Sequence, residues 1–169
     1  MVDLISHALW AFAFFHNLSN AWLYVLFTLL PDLLWGVPSF AFLISTGRLG
    51  ELRKARWRRS QNKDGVKDFR SDLGGKLYHL SHSWIAMGFV GALLFIFIPS
   101  IALPFIGGVF LHLAFDLFLH KDSVFGQMPL YPLSSFRVEG FIHWSDRRLI
   151  ILNYALLTLA YFIIIAGRL

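Results

Sequence analysis

The feature of this chain that most limits its possible folds is the length of its uncharged segments. The 32 residues from Trp84 to Phe115 contain no Asp, Glu, Lys or Arg, and the same holds for the 28 residues from Leu4 to Pro31 and the 19 from Leu149 to Gly167. A helix needs about 20 predominantly apolar residues to cross a bilayer. Only 15% of the 169 residues are charged, against about 25% in a soluble domain. These segments predict an integral membrane protein.

Polar residues and prolines within the apolar segments predict where the helices end. The polar group Asn17–Asn20 divides the first segment, and Pro99 and Pro104 divide the 84–115 segment into helices near 82–98 and 104–120. We therefore expect a single all-α domain over the whole chain, residues 1–169. It is predicted to be a polytopic membrane bundle of about four to five hydrophobic helices plus a basic amphipathic segment.

The basic residues are concentrated in one segment, which predicts the orientation of the chain. Residues 48–76 hold ten Lys and Arg and four acidic residues, a net charge of +6. Because Lys and Arg stay on the cytoplasmic side, this segment predicts a cytoplasmic loop. Its part from Glu51 to Arg59 is suited to lie as an amphipathic helix on anionic lipid head groups. No groove-reading motif accompanies it, so no nucleic-acid partner is expected.

Three ionisable residues share one face of a predicted membrane helix. His112, Asp116 and His120 are spaced four residues apart, so their side chains form a stripe along that helix. An ionised carboxylate in such apolar surroundings needs a compensating partner. A divalent metal ion meets this need, and so does a hydrogen bond from a histidine on another helix. From these residues alone, both interpretations stay open.

The predicted orientation brings ionisable residues of other segments to a similar depth, near the cytoplasmic boundary. Asp32 has no basic neighbour in sequence, and it either binds a metal or begins a helix after Pro31, where the helix dipole stabilises a carboxylate. Mixed histidine and carboxylate ligands suit zinc, and also manganese or iron. The candidate metal ligands are His7, Asp32, His82, His112, Asp116 and His120.

The segment 121–147 is rich in aromatic residues and proline, which predicts a structured cytoplasmic loop able to cover a site. Two of its residues are candidate catalytic groups. Asp122 is expected to act as a base or as a partner of the metal ligands. Arg137 is expected to orient an anionic group of the substrate.

Several short motifs, in this order along the chain, resemble the YdjM-like membrane-bound metal-dependent hydrolases, small bacterial inner-membrane proteins. They are His7, Leu30-Pro31-Asp32, Ser81-His82-Ser83 and His112-x-x-x-Asp116, and the continuation from His120 through Leu130–Ser134 to Arg137 is similar to one branch of the family. Leu34 stands where many members carry a second Asp, and Leu77 where many carry a further His. The resemblance implies a zinc-dependent, phospholipase-like hydrolase.

Together these observations predict a metal-activated water that attacks the phosphoester of a lipid or lipid-linked substrate. The chain has no cysteine, which excludes a thiol nucleophile, and it has no zincin helix, nucleophile elbow or phosphate-binding glycine loop. Two alternatives stay open: a non-enzymatic metal-binding membrane protein or transporter, and a b-type haem protein with paired axial histidines.

Overall fold

The computed structural model describes residues 4–45, 47, 73–121, 126–143 and 146–167. Within these residues the chain forms six α-helices and no strand, so the predicted all-α bundle is confirmed. The predicted basic amphipathic segment lies almost wholly outside the described residues, as does Asp122. The helices are α1 (Leu4–Phe15), α2 (Ala21–Ser45), α3 (Leu73–Ser81), α4 (Trp84–Phe97), α5 (Pro99–Leu119) and α6 (Arg147–Ala166).

Three of these helices, α2, α5 and α6, are long and apolar enough to cross a membrane. Helices α3 and α4 meet at a bend of 61° and together provide a fourth candidate span, whereas α1 has only 12 residues. The structure therefore has three to four candidate spans among its described residues, and these helices indicate a membrane protein.

The predicted division of this segment into two helices is confirmed, but the turn predicted between Pro99 and Pro104 is wrong in position. Helix α4 ends at Phe97, Ile98 alone separates the two helices, and α5 begins at Pro99 and continues through Pro104. Proline is favoured at the first position of a helix because its missing N–H needs no partner there. Pro104 removes only the hydrogen bond to the carbonyl of Ser100, an exposed residue near the start of the helix. The turn predicted at Asn17–Asn20, in contrast, is confirmed.

Helix α2 also continues where the sequence predicts a boundary. Pro31, Asp32 and Pro38 all lie inside it, so the interpretation of Asp32 as a carboxylate at a helix start is wrong. Proline is tolerated within membrane helices because neighbouring groups satisfy the backbone carbonyl that it frees. Asp32 is consequently a carboxylate in the middle of an apolar helix.

Helices α2 and α5 run in the same direction and approach each other closely. A Cβ atom placed on Gly108 of α5 would lie 2.5 Å from the carbonyl oxygen of Tyr24 and 2.9 Å from the amide nitrogen of Thr28. The Thr28 hydroxyl lies 3.0 Å from the Gly108 carbonyl oxygen, across the same contact. Only glycine permits this close approach. The approach in turn brings the following turns of both helices, which carry Asp32 and His112, close together.

Short helix α1 is attached to α6 by a buried polar contact. The Asn153 side chain donates a hydrogen bond to the Ser6 hydroxyl at 2.9 Å and accepts one from the Trp10 indole at 2.8 Å. The Tyr161 hydroxyl donates to the Leu9 carbonyl at 3.1 Å. Because polar groups buried in an apolar bundle need partners, these bonds define the position of α1 and of His7, the residue after Ser6.

Candidate metal centre

Five of the six predicted metal ligands meet inside the bundle. Asp32 comes from α2, and its side chain is 20% exposed, whereas the other four residues are buried. His82 occupies the bend between α3 and α4. We refer to this group as the His/Asp cluster; its members are His7, Asp32, His82, His112 and Asp116.

The Asp116 carboxylate lies at the centre of the His/Asp cluster. Its Oδ1 is 3.3 Å from His7 Nε2, and its Oδ2 is 3.4 Å from His112 Nε2 and 3.6 Å from His82 Nε2. The two Nε2 atoms of His82 and His112 are 3.3 Å apart. Within 3.6 Å, one carboxylate thus contacts the rings of three histidines that come from three parts of the chain.

Three of these atoms have the spacing of ligands on a single metal ion. His82 Nε2, His112 Nε2 and Asp116 Oδ2 form a triangle with sides of 3.3 to 3.6 Å. Two ligands of a tetrahedral zinc ion, with bonds of about 2.0–2.1 Å, lie about 3.3–3.5 Å apart. The triangle therefore fits one face of a metal coordination sphere.

A second group of possible ligands, His7, Asp32 and His112, overlaps the first. Asp32 Oδ1 lies 3.9 Å from His112 Nε2 and 3.5 Å from His82 Nε2. Both groups use His112, and a single ring nitrogen binds one ion at a time. Asp32 lies next to the triangle and belongs to the second group of possible ligands.

The backbone around the bend orients His82. Its Nδ1 lies 3.0 Å from the carbonyl oxygen of Tyr78 and 3.0 Å from the Ser81 hydroxyl. A carbonyl can only accept, so Nδ1 carries the proton and Nε2 presents its lone pair to the His/Asp cluster. Sequence analysis overlooked Tyr78, although its position four residues before His82 places its carbonyl one helical turn away. Ser83, after the bend, accepts a hydrogen bond from the Ala86 amide and thereby caps the N-terminus of α4, which begins at Trp84.

Charge favours a cation at this position. Among the residues that the structure describes, every ion-pair partner of Asp32 and Asp116 is a histidine ring, and none is Lys or Arg. Neutral imidazoles leave the two carboxylates uncompensated in an apolar bundle, which is costly. The buried His/Asp groups could hold a metal ion, and the donor atoms suit one.

His120, a predicted ligand, and Arg137, a predicted catalytic residue, are placed differently from the five residues of the His/Asp cluster. His120 Nδ1 lies 3.0 Å from the backbone carbonyl of Asp116 and 3.7 Å from its Oδ2, and His120 belongs to neither group of possible ligands. Arg137 packs against Gly126, where any Cβ atom would collide with the Arg137 side chain. Asp122 lies outside the described residues.

The rings of His82 and His112 leave no space for a haem between them. Their centroids are 5.2 Å apart, the ring planes are inclined by 62°, and the facing Nε2 atoms are separated by 3.3 Å. Paired axial ligands must lie on opposite sides of a flat porphyrin. The geometry at these two rings therefore favours a single ion over haem.

No family model matches the chain, and neither does any curated protein or solved structure. The interpretation of the site accordingly depends on its own geometry and chemistry.

Proposed function

We propose that this protein is a membrane-embedded, metal-dependent hydrolase that cleaves a phosphoester of a lipid or lipid-linked substrate. The observation that carries the proposal is the triangle of His82 Nε2, His112 Nε2 and Asp116 Oδ2, with the Asp32 carboxylate beside it. Three protein ligands and an open fourth position are typical of catalytic zinc sites. The resemblance to YdjM-like hydrolases agrees with this function.

In the proposed site, His82, His112 and Asp116 hold one divalent ion, zinc in preference to manganese or iron. When bound, such an ion acidifies a water molecule and neutralises phosphate oxygens. His7, which contacts the other oxygen of Asp116 at 3.3 Å, fixes the orientation of that carboxylate. Asp32 accepts the proton of the attacking water. The roles of Asp122 as a further base and of Arg137 in orienting phosphate stay predictions from the sequence.

The depth of the site supports a lipid substrate. Counting from the helix starts at Ala21 and Pro99, Asp32 and His112 lie about 17 and 20 Å along their helices. The hydrocarbon core is about 30 Å thick, which places the site beyond the middle of the bilayer. The basic segment 48–76 follows α2, at the far end from these starts, so the site is proposed to face the cytoplasmic leaflet of a bacterial inner membrane.

Asp32→Asn should separate chemistry from metal binding. Asn preserves the shape of Asp32 but accepts no proton, so we expect hydrolysis of a lipid phosphoester to fall about 10²–10⁴-fold. Metal content, measured by elemental analysis of the detergent-purified protein, should stay at the wild-type value. Glu139→Gln, which also replaces a carboxylate by its amide but at an exposed loop position, is the matched control. Loss of metal in Asp32→Asn would instead make Asp32 a ligand.

Access to the site is predicted beside Gly36, one turn after Asp32 on the same face of α2. Apart from its two chain neighbours and the adjacent backbone of its own helix, no atom of the described residues lies within 4 Å of a Cβ built on Gly36. Gly36→Leu should therefore fill this space without disturbing the fold, reducing turnover at least about tenfold at unchanged metal content. Gly36→Ala, the small control, should retain activity. Equal turnover in the two variants would place the entrance elsewhere.

Metal binding without hydrolysis is the second candidate function. The near-complete burial of His82, His112 and Asp116 favours it, because a buried ion is well suited to storage or transport. Liposomes that contain the protein and a zinc-sensitive dye distinguish the two functions. Zinc entry without hydrolysis of the lipid phosphoesters would indicate a carrier. Phosphate release without zinc entry would indicate the hydrolase.

A further inference from the structure

The loop over residues 126–143 exposes large apolar side chains although it is not helical. Leu133 is 78% exposed, Phe136 60% and Phe141 74%, values as high as those on the candidate membrane spans. Of its 18 residues only Arg137 and Glu139 are charged. Large exposed apolar side chains grouped in one loop are typical of an interaction site.

Hydrogen bonds hold this loop to the helices beneath it and within itself. The Gln127 side chain is fully buried and donates a hydrogen bond to the Leu113 carbonyl at 2.9 Å, and its carbonyl oxygen accepts one from the Trp84 indole at 3.3 Å. The backbone amide of Val138 donates to the carbonyl of Gln127 at 2.9 Å. Non-helical backbone is tolerated at membrane depth only where such partners satisfy it.

The exposed apolar surface of the loop continues the surface of α4 and α5. The Phe141 ring stacks on Phe118, an exposed residue of α5, with centroids 5.9 Å apart. The amide of Ile85, exposed near the start of α4, donates to the Pro129 carbonyl at 3.1 Å. The same carbonyl lies 3.1 Å from the Ser83 hydroxyl. Both attachment points thus lie on candidate membrane helices.

We propose that the 126–143 loop is inserted into the lipid leaflet, with Leu133, Phe136 and Phe141 among the acyl chains at the head-group boundary. This assignment replaces the expectation of a loop in the aqueous cytoplasm, and it does not depend on metal binding or catalysis. Its partner is the bilayer itself, because the loop surface is continuous with helix surfaces that face lipid. Arg137 and Glu139 are proposed to lie at the level of the phosphates, where long charged side chains reach water.

Single-cysteine labelling tests this proposal in the full chain, because the protein has no native cysteine. An environment-sensitive fluorophore is attached to Leu133→Cys or Phe141→Cys in liposomes that contain either doxyl-labelled lipid or aqueous iodide. Phe89→Cys, exposed on α4, is the lipid-facing control, and Glu139→Cys is the control from the same loop. Size-exclusion profiles equal to that of the wild type establish that each variant is folded.

We expect doxyl lipid to quench the fluorescence of labelled Leu133→Cys and Phe141→Cys to an extent within about twofold of that for Phe89→Cys. Iodide should quench mainly the label on Glu139→Cys. Quenching of Leu133→Cys by iodide as strong as that of Glu139→Cys would place the loop in water and overturn the proposal. Protection from both quenchers, with energy transfer between labelled copies, would also overturn it. That outcome would show that a second copy of the chain covers the loop.

Discussion

Asp116→Asn should remove the bound metal while the protein still folds and inserts. Asp116 contacts three histidines with its two oxygens, and Oδ2 belongs to the proposed ligand triangle. A neutral amide is cheaper than a carboxylate in the bilayer, so insertion is not impaired. The loss of one ligand should lower metal affinity by more than the 10–100-fold expected, roughly, for a partner that only contacts a ligand.

The measurement is metal content and zinc affinity of the detergent-purified variant, with Glu139→Gln as the matched charge-removing control. Hydrolysis should fall together with metal content, in contrast to Asp32→Asn. If Asp116 is only a hydrogen-bond partner between helices, the variant would retain stoichiometric metal and unchanged thermal stability. That result would remove the strongest argument for a metal centre.

Gly108→Ala should destabilise the bundle strongly for so small a substitution. The added Cβ would lie 2.5 Å from the Tyr24 carbonyl oxygen and 2.9 Å from the Thr28 amide nitrogen, and backbone atoms cannot rotate away. Helices α2 and α5 must then separate, at a cost of about 1–3 kcal/mol. Since Asp32 and His112 lie one turn farther along these two helices, zinc affinity should fall as well.

Thermal unfolding in detergent measures this effect, and the expected decrease in Tm is about 2–4 °C per kcal/mol. Gly88→Ala is the matched control, because its added Cβ would lie at an ordinary 3.7 Å from a Phe110 side-chain atom. Alanine also favours the helical state over glycine, so the control should be as stable as the wild type or more so. A Tm for Gly108→Ala equal to that of Gly88→Ala would contradict the close contact between α2 and α5.

Local spacing could be predicted from the sequence wherever a single helix determines the geometry. His112 and Asp116 face the same way because four residues make about one helical turn, and the apolar segments identify the helices that contain them. His120 has the same spacing, but it caps the end of α5, where its Nδ1 meets the carbonyl of Asp116. A regular spacing therefore predicts a ligand only while the helix continues.

The prolines were the main source of wrong boundaries. Pro31 and Pro104 each indicate a break by their lack of an N–H, yet both lie inside helices. Their effect depends on whether neighbouring groups satisfy the carbonyl one turn earlier, which is a property of tertiary packing. The role of Asn153 in positioning His7 could not be predicted from the sequence either, because Asn153 is separated from its partner Ser6 by 147 positions.

The parallel arrangement of α2 and α5 has a consequence for how the protein is made. Two parallel neighbours cannot form a hairpin, so α3 and α4 must first return the chain across the bundle. During synthesis Asp32 therefore enters the membrane before His82 and His112 exist to meet it. The site is consequently completed late in biogenesis, when α5 reaches α2, and a chain truncated before α5 carries Asp32 and His82 without the Asp116 carboxylate and the His112 ring.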